Sequence, residues 1–192
     1  MPPKVKYGRD EIVDAAFRLV RREGAAACNA RAVAGELGCS TQPLFRAFSS
    51  MDGLRQEVLN KANGVYAAYI QDSARLSPDT PYLGTGLAYL LFAREEPKLF
   101  QLLFMRDRGA EATVEKDPTL DYVLSLLMER SGYSHEQAKA FHMHMWVYVH
   151  GLAVMQATNF VSFEEAPLKN LKKMMSEQYR AMRLLYDSQA NT

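Results

Sequence analysis

Residues 29–48 read NARAVAGELGCSTQPLFRAF, and the punctuation of this stretch decides the fold. Asn29 is a residue type that caps a helix. Val33, Ala34 and Leu37 recur at the spacing of one helical face, and Gly38 stops that helix, with Cys39 making the turn. Ser40 is placed to cap a short third helix, Thr41 to Phe48. Pro43 falls within its first turn, where a missing N–H costs no helix bond. Two short helices joined by a tight glycine turn are the layout of a helix-turn-helix. Leu44 and Phe48, four residues apart, share a face and are expected to pin the third helix to the core. Thr41, Gln42, Phe45 and Arg46 then face outward. An exposed Phe beside an Arg and two amide or hydroxyl side chains suits a helix lying in the major groove of DNA. Gln42 is suited to an adenine edge and Arg46 to guanine or a phosphate. Ser40 and the free N–H groups at the helix start favour a phosphate. Arg31, in the first turn of the preceding helix, is placed to reach the same groove. The competing reading of these spacings is a helical hairpin inside a bundle.

Outward from this stretch, charge is local rather than global. The 192 residues are 48% hydrophobic and 23% charged, with a net charge of +1, enough apolar material for one or two domains with a substantial core. Residues 1–60 hold nine Lys/Arg against seven Asp/Glu, so a DNA partner has to be argued from geometry. Lys4, Lys6 and Arg9 precede the first acid, Asp10, and form a basic arm. Between Leu37 and Met51 the one formal charge is Arg46. If the residues between Cys28 and Cys39 form a helix, the two thiols lie roughly 16 Å apart, too far for a disulfide. They read as reduced thiols of a cytoplasmic protein. No apolar signal core opens the chain, and its longest apolar run, Leu87 to Ala93, is too short to span a bilayer.

The remaining chain reads as helices alone, about nine in total. Asp10 is a candidate cap for a helix whose stripe is Ile12, Val13, Ala16, Phe17 and Val20, closed by Gly24. Ser50 opens a longer helix to about Leu76, with Leu54, Val58, Ala62, Val65 and Tyr69 on one side and Leu59, Tyr66 and Ile70 beside them. Leu76 to Pro81 is a break. Helices follow over roughly 82–94, 97–107 and 118–130, the last ended by Gly132. Ser134 and Gln137 have capping-box spacing and start the most apolar helix, to about Asn159. The last helix, roughly 163–187, sets Leu168, Leu171, Met175, Met182 and Tyr186 against a basic face of Lys169, Lys172, Lys173, Arg180 and Arg183. Between Phe141 and Val154 apolar residues occupy nearly the whole helix circumference, which predicts one face turned inward and another meeting a partner. Gly151 would allow close backbone approach there.

Enzyme chemistry finds no support. There is no nucleophile–base pairing and no phosphate loop: Gly84-Thr-Gly86 lacks a third glycine and a preceding strand. His142 and His150 are about 12 Å apart along a helix, too far to share a metal ion. No cofactor and no metal are expected.

Residues 12–59 resemble the DNA-binding domain of the tetracycline-repressor (TetR) family. The resemblance rests on Ala15-Ala16, Gly24, Val33-Ala34, Gly38, aromatic Phe45 and Phe48, and Leu54, at the family's spacing. Trp146 to Gly151, with His150, resembles a Trp…His-Gly signature in the ligand domains of some members. The resemblance implies an all-α chain with an amino-terminal three-helix helix-turn-helix domain (1–50) and a larger helical effector-binding and dimerisation domain (51–192). It implies a homodimeric regulator, a repressor, on a palindromic double-stranded DNA operator, released by a small, mostly apolar effector. The last two helices would form a four-helix bundle with a second subunit, through Gly151, Leu168, Leu171, Met175 and Met182. Large side chains of the middle helices, Tyr66, Tyr69, Phe92 and Phe104, would line the effector pocket with His142 and Trp146. The chain departs from the family at two places. Phe45 stands where members usually carry Tyr, and Met51 where they carry Lys. Both changes remove backbone contacts, which lowers affinity more than specificity. They leave a second reading: an adaptor on the same fold that has lost DNA binding and acts through protein contacts.

Overall fold

The computed structural model describes residues 7–107, 117, 119–160 and 168–190, the side chains of Leu168, Lys169, Gln189 and Ala190 excepted. The expected arm residues Lys4 and Lys6 lie outside the described residues. Nine α-helices and no strand occur among the described residues: α1 (Arg9–Glu23), α2 (Ala30–Leu37), α3 (Gln42–Ala47), α4 (Met51–Gln71), α5 (Pro81–Glu95), α6 (Pro97–Phe104), α7 (Leu120–Ser131), α8 (His135–Ala157) and α9 (Leu168–Ala190). The all-α expectation holds. None of these helices is long and apolar enough to cross a membrane.

Packing divides the chain into two compact units, Met1–Val65 with Glu96–Asp107, and Tyr66–Glu95 with Arg108–Thr192. The division falls later than residue 50 because α4 opens with Leu54 and Val58 buried, and α6 packs on α1.

In the first unit α1 starts one residue before the expected cap. Gly8 is the N-cap, its N–H donating to the Glu11 carboxylate at 2.7 Å, while Asp10 lies inside the first turn. Asp10 and Glu11 at this end and Arg21 and Arg22 at the other complement the helix dipole. Ile12, Ala15, Ala16, Leu19 and Val20 are buried, the two alanines fully, so α2 packs closely. Phe17, expected in this stripe, is half-buried, with the Lys61 ammonium 5.7 Å from its ring centre. Arg21 clamps the buried Glu96 at the start of α6, with Nε 2.8 Å from Oε2.

The second unit is built around α5, whose Tyr82, Leu83, Leu87, Ala88, Tyr89, Leu90, Phe92 and Ala93 are all buried. It packs against the turn Asp72–Leu76 and against α7, α8 and α9. At Gly84 the turn comes so close that a Cβ would lie under 3.0 Å from the Ser73 carbonyl oxygen, so this position requires glycine. The inward ridge of α4 runs Leu54, Val58, Ala62, Tyr66, Ile70, every fourth residue; the expected Val65 and Tyr69 sit at its flank, half-buried. On α8 the Ser134 hydroxyl and the Gln137 side chain form the predicted capping box. Phe141, Met145, Val149, Leu152 and Ala153 face inward, while Met143, Val147 and Met155 stay exposed.

Candidate functional site

The turn into α3 is local chemistry. The Asn29 side chain accepts from the Ala32 N–H at 3.0 Å to start α2, and Gly38 ends it in the left-handed region (φ 64°). The cap of α3 is Thr41 rather than Ser40, and neither side chain bonds the helix start; Ser40 is exposed one residue outside. Leu44 (1% exposed) and Phe48 (5%) are the inward pins. Gln42 and Arg46 are exposed, Thr41 and Pro43 half-buried, and Phe45 is 55% exposed.

Ion pairing sorts the basic residues around this face. Between residues 7 and 65, Arg18 and Arg22 pair with Glu36, Arg21 with Glu96, Arg55 with Asp52, and Lys61 with Asp14. Arg9, expected in the basic arm, is also engaged. Its guanidinium donates to the Ala47 carbonyl at 3.0 Å and to Glu57 at 2.7 Å, and lies 4.1 Å from the Phe48 ring centre. In this position Arg9 braces α1 against the end of α3 and the start of α4. Arg31 and Arg46 are exposed and have no hydrogen-bond or ion-pair partner among the described residues.

A second site opens inside the second unit, a cavity of about 500 Å³ including its mouth. The end of α4 contributes Tyr66 and Ile70. From α5 come Tyr82, Thr85, Gly86 and Tyr89, and from α8 His142, Met145, Trp146 and Val149. Asp117, Thr119 and Met175 also line the cavity, with Leu83 of α5 and Leu120 and Val123 of α7. Tyr82 Oη shares a hydrogen bond with His142 Nδ1 at 3.1 Å, and Tyr89 Oη with His150 Nδ1 at 2.9 Å. Trp146 stacks on His150 with ring centres 4.6 Å apart. Burial pushes the His142 imidazole down to about 4, against a smaller upward pull from Asp117, so it is neutral at physiological pH. Burial likewise raises the Tyr66 and Tyr82 hydroxyls, which therefore act as hydrogen-bonding groups and not as charges.

Residues 12–58 match the model for bacterial regulatory proteins of the tetR family, and residues 83–178 match that for the tetracyclin repressor-like C-terminal domain. The chain belongs to the tetR family. It is also similar to an uncharacterized HTH-type transcriptional regulator, YobS, of Bacillus subtilis (strain 168), 24% identical over 174 residues, which cover 89% of this chain and 90% of that protein. This tetR-family chain is a transcriptional regulator with a helix-turn-helix DNA-binding domain, and its family is not a family of enzymes.

The cavity lies in the region matched to the tetR-family C-terminal domain, apart from its α4 wall and Tyr82. Of the six residues expected to line an effector pocket, Tyr66, His142 and Trp146 line this cavity. Phe92 is instead fully buried core, and Tyr69 donates its hydroxyl to Glu95 at 2.8 Å. Phe104 belongs to the first unit, its ring tilted against that of Phe100. Sequence reasoning missed Tyr82, Asp117 and Thr119, and took Tyr89 only as one of the large aromatic side chains of the middle helices. The seven-residue spacing of Tyr82 and Tyr89, two turns of one helix, was a usable signal for the two tyrosines.

The residues expected at a dimer interface differ in burial. Leu171 (3% exposed) and Met175 (1%) are buried within the second unit, Met175 against the cavity. Met182 is half-buried, and Gly151 has open space where a Cβ would point. Leu168 carries no described side chain. The apolar groups left open on α8 and α9 are Met143, Val147, Met155, Met174, Leu184 (75% exposed) and Leu185.

Proposed function

We propose that this tetR-family regulator is a dimeric repressor that reads a palindromic operator and leaves it when a small molecule occupies the cavity. The observation that carries the reading is the exposed face of α3 with two guanidinium groups, Arg46 on α3 and Arg31 on α2, that have no partner among the described residues. An arginine without a carboxylate partner in the free protein keeps its charge available for DNA, and no internal ion pair has to be broken. Arg31, Thr41, Gln42 and Arg46 contact base edges and phosphates, Pro43 and Phe45 make apolar contact with them, and Ser40, Lys4 and Lys6 hold the backbone. Two copies place their α3 helices about 34–36 Å apart, in successive major grooves. The open face of Met143, Val147 and Met155 on α8 and Leu184 and Leu185 on α9, with Gly151 between, pairs with its own copy, since exposed apolar patches mark such contacts.

A gel-shift series with the intergenic DNA upstream of the coding sequence tests the first step. A specific shift that weakens steeply with salt is expected; no specific shift at low salt sinks the proposal. The adaptor reading is favoured by one observation, Phe45 exposed where the family usually carries Tyr. The double change Phe45→Tyr with Met51→Lys separates the two: a repressor gains affinity, whereas an adaptor binds no DNA in either form.

A further inference from the structure

Among the described residues Asp117 is the one carboxylate on the cavity wall, and no described lysine or arginine lines it. Its Oδ1 accepts from the Thr119 N–H at 2.8 Å and the Thr119 hydroxyl at 2.6 Å, and its Oδ2 from the Tyr66 hydroxyl at 3.3 Å. Three neutral donors orient the carboxylate and bring no charge to it. Asp117 forms no ion pair with any described residue. The rings of Tyr66, Tyr82, Tyr89 and Trp146 stand on the same wall, and aromatic faces attract cations, most strongly where water is excluded. The basic group at hand, His142, is neutral at physiological pH and so does not compete for the carboxylate.

We propose that the cavity takes a lipophilic monocation: an organic ammonium, either a protonated amine or a quaternary centre, whose charge meets Asp117 and whose apolar body lies among the tyrosine and tryptophan rings. This rests on the reading of the cavity as the effector site. A negative ligand is repelled, and a neutral one leaves the carboxylate without a counter-charge in a largely apolar site. Met175 gives the site its tolerance of shape. Its methyl tip occupies the space that the missing side chain of Gly86 leaves free, and an unbranched thioether re-packs readily around bodies of different outline.

The test uses the full chain and its single tryptophan, Trp146, whose fluorescence reports occupancy from the cavity wall. Four probes are titrated: 4-phenylbutylamine, benzyltrimethylammonium, 4-phenylbutan-1-ol and 4-phenylbutanoate. The amine is expected to bind at least about tenfold tighter than the alcohol, with the carboxylate weakest. The quaternary probe tells the two kinds of cation apart. Affinity equal to the amine's assigns the selectivity to the rings, and a weaker but still favoured cation assigns it to a hydrogen bond on Asp117; both uphold the proposal. Asp117→Asn is expected to bring the amine down to the alcohol's level. The charge series on the unaltered protein stands even if that variant folds poorly. Equal affinity for amine and alcohol, preference for the carboxylate, or no binding of any probe overturns the inference. Gel shifts with the same probes keep the two proposals separable. A cation that binds but leaves the DNA complex intact upholds the site and refutes release by ligand; release by the alcohol without cation preference does the reverse.

Discussion

Replacing Gly84 and Gly86 by alanine, one at a time, tests how α5 is packed. The two glycines are two residues apart on one helix, and at both a new Cβ would lie under 3.0 Å from an existing atom. What they meet differs. At Gly84 the obstacle is the backbone carbonyl of Ser73, with its oxygen nearest and its carbon at 3.1 Å. At Gly86 it is the terminal methyl of Met175. Alanine in a helix gains about 1 kcal/mol over glycine. A rigid carbonyl can yield only if the Ser73 turn moves off α5, and such overpacking costs about 1–3 kcal/mol, towards the upper end for backbone. Gly84→Ala is therefore expected to lose about 1–2 kcal/mol net. At Gly86 the methionine re-orients for about 0.5–1.5 kcal/mol, so Gly86→Ala should stay within about 1 kcal/mol of the parent. Gly64→Ala, whose Cβ would meet nothing within 4 Å, is the reference and should gain up to about 1 kcal/mol. Urea unfolding followed by Trp146 fluorescence and circular dichroism measures all three, with the slope in urea checked for constancy. Gly84→Ala as stable as Gly64→Ala, or Gly86→Ala as damaged as Gly84→Ala, would refute the packing argument.

Four further outcomes follow from the geometry. His142 titrates at about 4 in the folded chain against an ordinary 6.5, so the unfolded chain takes up the proton first. Stability is then full above about 6.5 and is lost as pH falls towards 4. Lowering the pH from 6.5 to 5 should cost about 2 kcal/mol, and urea unfolding of His142→Gln should show that loss abolished; an unchanged loss refutes the burial argument. Arg46→Ala should weaken operator binding by about 1–3 kcal/mol if it reads a base, or reduce the salt slope by about one if it holds a phosphate. Arg9→Ala should lower the melting temperature and leave the salt slope as it was, and a changed slope would return Arg9 to the DNA contacts. Val147→Glu, placing a charge on the exposed face of α8, should give a monomer in sedimentation at micromolar concentration, and a dimer of unchanged strength would move the interface elsewhere.

The helix-turn-helix was legible because its signals are local: Asn29 caps by its own side chain three residues on, and Gly38 needs only its own φ. Even there Ser40 misled by one position, since Thr41 had already taken a helical backbone. Arg9 was not legible as a brace, because its carboxylate partner Glu57 lies 48 residues away. The cavity was half legible. His142 and Trp146 share a helical face with a polar edge that sets its phase, whereas α5 is buried on nearly all sides, so that only the Tyr82–Tyr89 spacing marks the face that meets the cavity. Asp117 sits in a polar link where any carboxylate reads as solvated. On α9 the sequence offers two apolar sets, Leu171 with Met175 and Leu184 with Leu185, and nothing in their spacing says which one is buried within the chain.

The magnitude of any ligand effect bears on why dimerisation would matter here. Moving a DNA-bound population from 99:1 to 1:99 requires a ligand that prefers the released state by about 5.5 kcal/mol. One charged contact to Asp117, made in that state and absent from the other, supplies roughly 1.5–3 kcal/mol. A single occupied cavity would thus weaken operator binding without abolishing it. In the proposed dimer two cavities are filled, and their preferences add to about 3–6 kcal/mol if both protomers change state together. Tyr66 has the position this coupling requires. It lines the cavity and donates to Asp117, and it lies on α4, the same continuous helix that buries Leu54 and Val58 in the first unit. In the proposed mechanism a cation that drew Asp117 away from the Tyr66 hydroxyl would act on that helix directly, whereas an equally tight ligand that left the pair undisturbed would shift nothing.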